Sequence, residues 1–401
     1  MAKALRLLKF DTAHPEGYLQ RLQQQRAAEL VPLGYEDYYR WLMELRVGMS
    51  DFLTYPMNQA GWVAREFWAK DRLLMRKLAA SGEVESVGLT DRVRFGLQHA
   101  LSLSLRDVAS FRWGLGSDLK KRYWLISRYI ESFRPDVIFV REPAHIDGEF
   151  FNRFRDRCAL VALIGCNTNH AQHWDPHRYD ALFTLTGEYD RFFKVQGLNS
   201  HLFEYGVDER VLHEVTGLPK KHDCTFVGFL GQPSQSRKTK LMNAVAGAVG
   251  FKWWGVKGSD ISQFPSLERT WQGEKAGLEM LEIYRQSKIV LNDYVDMAGG
   301  TNVNIRTKEV LGVGSLLLTR QADNIRELEQ EGALATFRDA DECVVKIRHF
   351  LANDVEREQI SAKGLQVALQ KFNYRDIANR VMDVISEAYE RKRPRLKPWR
   401  S

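Results

Sequence analysis

The sequence predicts an α/β fold of two Rossmann-like parallel-sheet lobes facing a cleft, the first enlarged by a helix-rich N-terminal insertion. Three observations carry that expectation. Short apolar strands alternate with amphipathic helices from Asp136 onward. A polar stretch at 208–223, holding Pro219, Lys220 and Lys221, divides the alternation in two. The stretch Ser287–Thr319 reads as strand, glycine-bearing loop, short helix and second strand, the unit that builds a ligand edge in open parallel sheets.

In chain order, Leu5–Phe10 is the first strand: its apolar run meets Asp11 too soon for a signal peptide. Apolar residues at three and four spacing predict helices over Tyr18–Leu30, Tyr35–Arg46, Ala60–Ala79, Asp91–Leu105 and Leu119–Phe133, with their aromatics read as core. That is more helix than one Rossmann unit needs, hence the insertion. Strands follow at Asp136–Val140, Ala159–Gly165, Ala181–Thr186 and His201–Val207, with helices at Gly148–Arg157 and Gly187–Gln196. Past the linker, strands Thr225–Leu230, Phe251–Val256, Lys288–Asn292, Ser315–Thr319 and Ala335–Arg338 alternate with helices Lys238–Val249, Ala276–Gln286 and Asp341–Leu351. Helices Val355–Lys371 and Arg375–Tyr389 and a basic tail close the chain. The expected boundaries are 1–207, a linker at 208–223, 224–374, and a terminal helix and tail at 375–401.

Composition narrows the function classes. With 44% hydrophobic and 27% charged residues, the 401-residue chain is an ordinary globular protein of two or three domains. No apolar run approaches the roughly 18 residues of a membrane span. The four cysteines form no Cys-x-x-Cys pair and read as reduced and structural, which suggests the cytoplasm. A net charge of +7 points to an anionic partner. Nucleic acid is disfavoured, since no recognised motif accompanies the charge. A dinucleotide oxidoreductase is disfavoured too, because neither lobe has Gly-x-Gly-x-x-Gly after its first strand. The tail from Arg391, with Pro394, Pro398 and Trp399, is either a solvated end or a weak, salt-sensitive contact with the inner face of a membrane.

Three constellations carry chemistry. In the first, Gly300, Thr301 and Asn302 precede a helix expected over Asn304–Gly312, which bears Asn304, Arg306, Lys308 and Glu309. A loop that opens a helix beyond a strand offers free N–H groups to a phosphate, and one carboxylate such as Glu309 can take two ribose hydroxyls. In the second, strand Phe226-Val227-Gly228 leads to Ser236-Arg237-Lys238, where a cationic run at a helix N-terminus is unfavourable unless an anion sits there. The sequence does not separate Arg237 from Lys238. Gly255, after Trp253-Trp254, ends a strand at the same edge, and the tryptophans either border a base pocket or pack beneath the loop. In the third, His170, His173, Asp175 and His177 follow strand Ala159–Gly165. Pro176 prevents one regular helix through the set, so no metal site is assigned. One of His170, His173 or Asp175 is expected to act as a general base, with a His-rich surface loop as the alternative. Glu142 and Glu188 occupy comparable strand ends.

Asn304, Arg306, Glu309, Gly312 and Gly314, with Ser287-Lys288-Ile289 and Leu291-Asn292, resemble the C-terminal signature of CgeB-like (spore-maturation-protein) glycosyltransferases, within group 1 glycosyltransferases of GT-B fold. The resemblance runs from about Thr225 to Tyr374. It implies transfer from a nucleoside-diphosphate sugar, with no other cofactor, to an acceptor hydroxyl of a glycan, lipid-linked glycan or protein. It also implies that Glu309 grips the donor ribose, that the loop before it faces the diphosphate, and that Arg237 meets the phosphates. Many members carry a second glutamate where this chain has Thr301. That departure keeps open a non-catalytic glycan-binding protein, or a sugar-nucleotide epimerase or hydrolase, as alternatives. Retaining chemistry is what the resemblance suggests, and it needs no dedicated base.

Overall fold

The computed structural model describes residues 4–11, 16–84, 111–146, 148–165, 174–232, 236–294 and 305–399. The expected helix Asp91–Leu105 lies outside them. The chain forms two units, one of Met1–Phe203 with Ala378–Ser401 and one of Glu204–Ile377.

The first unit holds strands β1 (Arg6–Asp11), β2 (Val63–Trp68), β3 (Val137–Arg141), β4 (Ala159–Ile164), β5 (Ala181–Thr184) and β6 (Ser200–Leu202). They pair in the order β2-β1-β3-β4-β5-β6, every pair parallel. β4 is buried along its whole length, as a central parallel strand covered on both faces must be. The chain leaves β1 for β2 on one side, and β3 lies on the other. The strand order therefore reverses between β1 and β3, which opens a crevice at their carboxyl ends.

β2 corrects the expected helix Ala60–Ala79. Its apolar residues suit either period, and pairing with β1 from Arg6↔Val63 to Asp11↔Trp68 decides for strand. Gly61, at φ 89°, ends the preceding helix Thr54–Gln59. A separate helix, Arg72–Ser81, then starts at Asp71, whose carboxylate accepts from the amides of Leu73 at 2.9 Å and Leu74 at 3.1 Å.

The expected linker 208–223 is ordered structure. Asp208 caps helix Glu209–Val215, accepting from the Arg210 amide at 2.9 Å, and a strand begins at His222. The basic tail packs on the first unit: the Lys397 amide and ammonium reach Asp156, and the Trp399 ring lies 6.3 Å from that of Phe154.

The second unit holds β7 (His222–Val227), β8 (Phe251–Trp254), β9 (Ser287–Asn292), β10 (Leu316–Arg320) and β11 (Ala335–Phe337). Their order is β11-β10-β9-β7-β8, again all parallel, with the reversal between β7 and β9. Phe226, Trp253, Ile289, Leu291, Leu316 and Leu318 build its core with helices Ser236–Ala248 and Ala340–Ala352. Both lobes are Rossmann-like parallel sheets, as expected. Among the described residues no helix is long and apolar enough to cross a membrane.

Candidate functional site

The carboxyl edge of the second sheet is tied together by one side chain. Helix Arg306–Gly312 starts just past β9 and turns the Arg306 guanidinium back over the crevice between β7 and β9. Nη1 donates to Asn292 Oδ1 at 2.6 Å, Nη2 to the Val227 carbonyl, and Nε to the Tyr284 hydroxyl at 3.1 Å. The cation also lies 4.7 Å from the centroid of the Phe226 ring. Asn292 extends the tie to β10, donating to Thr319 Oγ1 at 3.1 Å. Arg306, expected to contact phosphate, thus commits each of its three nitrogens to the protein. Charge-assisted bonds to buried acceptors are strong, so its first role is to join β7 to β9.

Glu309 lies one turn further along this short helix. Its carboxylate is half-buried and makes no hydrogen bond or ion pair among the described residues. Burial pushes its carboxyl up to about 7, with the Arg306 charge pulling the other way. An acceptor group that is partly desolvated and unsatisfied is costly to keep. Lys308 turns elsewhere. Its ammonium lies 3.0 Å from the centroid of the Phe372 ring, and burial lowers it to about 8. Gly312 sits against Val207, where a Cβ would come within 2.6 Å of Cγ1.

Arg237 and Lys238, inseparable in the sequence, differ in the structure. Lys238 is buried, its ammonium 5.7 Å from the Phe226 ring centroid. The Arg237 side chain is 40% exposed, so it alone of the two presents its charge at the surface. It donates to the Tyr294 carbonyl at 3.2 Å and stands 3.5 Å from Asp293. Asp293, fully buried just past β9, also accepts from Arg320 Nε at 2.9 Å. Sequence reasoning missed Asp293 and Arg320; their signal was position alone, at the ends of β9 and β10.

Two of the three predicted glycines, Gly228 and Gly255, serve the backbone. A Cβ on Gly255 would fall 2.0 Å from the Gly228 carbonyl oxygen, and one on Gly228 would meet Arg306 Nη2 at 2.9 Å. Their φ values, 133° and 155°, exclude most side chains independently of space. Gly228 and Gly255 let the loops after β7 and β8 run in contact, with the Gly228 amide donating to the Trp254 carbonyl at 2.8 Å. Trp253 is core, its indole N–H donating to the Leu267 carbonyl at 2.7 Å. Packing beneath the loop is therefore the correct alternative for Trp253. Gly300, Thr301, Asn302 and Asn304 lie outside the described residues.

In the first unit, His170 and His173 also fall outside the described residues. Asp175 is an exposed cap: its carboxylate accepts from the His177 amide at 2.9 Å and pairs with Arg178 at 3.2 Å. That local role explains its place in the sequence without a general base. Among the described residues no group of three or more His, Cys, Asp or Glu side chains is arranged to hold a metal ion. A buried charge network is present instead. Lys9, fully buried in β1, donates to Glu66 of β2 at 2.7 Å and stands 3.4 Å from Asp11. Asp11 accepts from Arg141 at 3.0 and 3.2 Å across the β1–β3 crevice. Thr54 donates to the other oxygen of Glu66 at 3.0 Å.

Comparison with known proteins fits this geometry. Residues 236–383 match a family model described as glycosyl transferase-like. No curated protein matches the sequence. Among solved structures, a sucrose-phosphate synthase from Thermosynechococcus elongatus aligns over 96% of this chain and 100% of its own, at 13% identity and a TM-score of 0.53. A glycosyltransferase from Rickettsia africae aligns over 96% and 99%, at 9% identity and 0.52. An E. coli structure described as trehalose-6-phosphate bound with UDP-2-fluoro glucose aligns over 95% and 99%, at 11% identity and 0.51. At such identities the likeness is one of fold.

Proposed function

We propose that this protein is a glycosyltransferase that moves a sugar from a nucleoside diphosphate to an acceptor hydroxyl, with the donor held on the second unit. The observation that carries the reading is Glu309: a half-buried residue whose carboxylate has no partner among the described residues, beside the reversal point of a Rossmann sheet, inside the segment matched by the glycosyl transferase-like family. Two ribose hydroxyls supply the donors such a group lacks. The pattern Asn304, Arg306, Glu309, Gly312 and Gly314 supports the CgeB-like branch.

In the reaction the acceptor oxygen bonds to the anomeric carbon as the bond to the diphosphate breaks. The electron pair leaves on the phosphate oxygen, and the hydroxyl proton passes to that phosphate. Arg237 is assigned to the leaving diphosphate in place of a metal ion. A cation fixed by Asp293 and Tyr294 stabilises charge that grows in the transition state more than it stabilises the ground state. Arg306 positions this edge. The acceptor is assigned to a bacterial surface glycan or its lipid-linked precursor.

A thermal-shift screen of UDP, GDP, dTDP, ADP and CMP, repeated on Glu309→Ala, tests the donor site. One diphosphate at 100 times its dissociation constant is expected to add about 2.7 kcal/mol to the wild type, and nothing to the variant. A folded wild type that responds to no nucleotide defeats the reading. Turnover of a nucleotide sugar at the same rate with and without any acceptor would instead mark a hydrolase or epimerase.

A further inference from the structure

The reversal point of the first sheet carries a second set of unusual residues. Among the described residues four other than glycine have positive φ: Arg46, Ser50, Arg134 and Glu142. Arg134 follows the C-terminus of helix Phe111–Phe133, where a left-handed residue is ordinary. Arg46 likewise follows the C-terminus of helix Tyr35–Glu44, which leaves Ser50 and Glu142. Arg46 and Ser50, at φ 52° and 41°, flank Gly48, whose Cβ position lies 3.7 Å from Arg141 Nη1. Glu142, next in sequence to Arg141, sits at φ 52° and ψ 66°. Left-handed backbone is costly for a side-chain-bearing residue, and it persists where the surroundings enforce it, most often at functional sites.

The Glu142 side chain shows what that strain holds in place. Its amide is pinned to the Leu163 carbonyl at 2.8 Å, and Pro143 opens the turn that follows. Its carboxylate lies against Gly165, where a Cβ would fall 2.2 Å from Oε1 and 3.2 Å from Oε2. Any residue but glycine at position 165 would evict it. The carboxylate is half-buried and has no hydrogen bond or ion pair among the described residues. The nearby cation does not serve it, because Arg141 Nη1 is turned to Asp11.

We infer that Glu142, seated on Gly165 at the carboxyl end of β3 and β4, is a hydroxyl-binding subsite for a neutral glycan. The ligand class follows from the chemistry. A carboxylate whose two oxygens have no partner among the described residues takes paired hydroxyl donors, whereas an anionic ligand would meet its charge. Naming that glycan the acceptor rests on the transferase reading of the second unit; the binding itself does not.

The test uses the full chain on an array of neutral and acidic oligosaccharides, with the nucleotide thermal-shift screen run in parallel. The wild type is expected to capture neutral glycans in preference to acidic ones. Glu142→Gly is expected to lower that capture about tenfold or more, the scale of hydrogen bonds to a charged group. It should keep or raise the melting midpoint, because glycine adopts the left-handed backbone freely. Gly165→Ala, which leaves Glu142 in the sequence, is expected to lose capture as well. Nucleotide response should persist in both variants. A wild type that captures no neutral glycan, or a folded Glu142→Gly that captures as much as the wild type, overturns the subsite. Loss of nucleotide response with capture intact would defeat the donor reading and leave the subsite standing.

Discussion

Affinity for a nucleotide sugar is expected to rise about tenfold between pH 6 and pH 8, with Glu309 as the group responsible. Burial holds its carboxyl at about 7, against the pull of Arg306. The two ribose hydroxyls can donate as a pair only to the ionised form, since a protonated carboxyl turns one oxygen into a donor, so binding lowers the carboxyl pKa and releases a proton. The ionised fraction is about one-tenth at pH 6 and about nine-tenths at pH 8, which corresponds to about 1.4 kcal/mol of binding free energy. A nucleotide sugar is the right probe, because its diphosphate has no terminal phosphate to titrate. Calorimetry in two buffers of different ionisation enthalpy reads both the affinity and the proton released.

Glu309→Gln should bind more weakly at pH 8 and show no pH dependence. The unliganded protein supplies an independent check of sign. A carboxyl raised above its ordinary value destabilises the fold where it is ionised: the penalty is absent below about 4.5 and complete above about 7. Glu309→Gln should therefore melt above the wild type at pH 8, by an amount equivalent to about 3 kcal/mol, and level with it near pH 4.5. Equal affinity at pH 6 and pH 8, or a Gln variant that binds like the wild type, would refute the argument.

The remaining predictions concern the frame of each site. Lys9→Met leaves Glu66 buried without its cation and should cost about 3–5 kcal/mol in denaturant unfolding, most of it recovered in Lys9→Met/Glu66→Leu. Gly255→Ala drives a methyl into the Gly228 carbonyl and should destabilise the second unit by at least about 2–3 kcal/mol, or prevent soluble expression. Arg306→Lys cannot reproduce three fixed bonds; about 2–3 kcal/mol of stability and part of the nucleotide thermal shift should be lost together. Arg237→Ala, whose side chain is 40% exposed, should instead weaken binding of the nucleotide sugar about tenfold or more and reduce its salt dependence, with little change in melting.

Much of the fold was legible because local rules and tertiary structure agree. Wholly apolar runs such as Ala159–Ile164 have few alternatives to a central parallel strand, and Gly314, at φ 66°, follows a helix end as left-handed geometry favours. Glu309 was singled out as a candidate by its place in a motif, and Arg237 by the oddity of a cationic helix start. Where one pattern suits two periods, only pairing could choose: Val63–Trp68 became a strand because β1 offered it a partner. Partnership between side chains was equally out of reach. Nothing in the order of residues shows that Arg306 is occupied by Val227, Asn292 and Tyr284, that Asp11 holds Arg141, or that Gly165 seats the carboxylate of Glu142. Periodicity and turn chemistry act over a few neighbouring residues, so the sequence alone determined most of the strands and helices and the alternation that makes both sheets parallel. Which charges at a sheet's carboxyl edge are already satisfied depends on groups brought together from distant positions, and that was decided only by the tertiary structure.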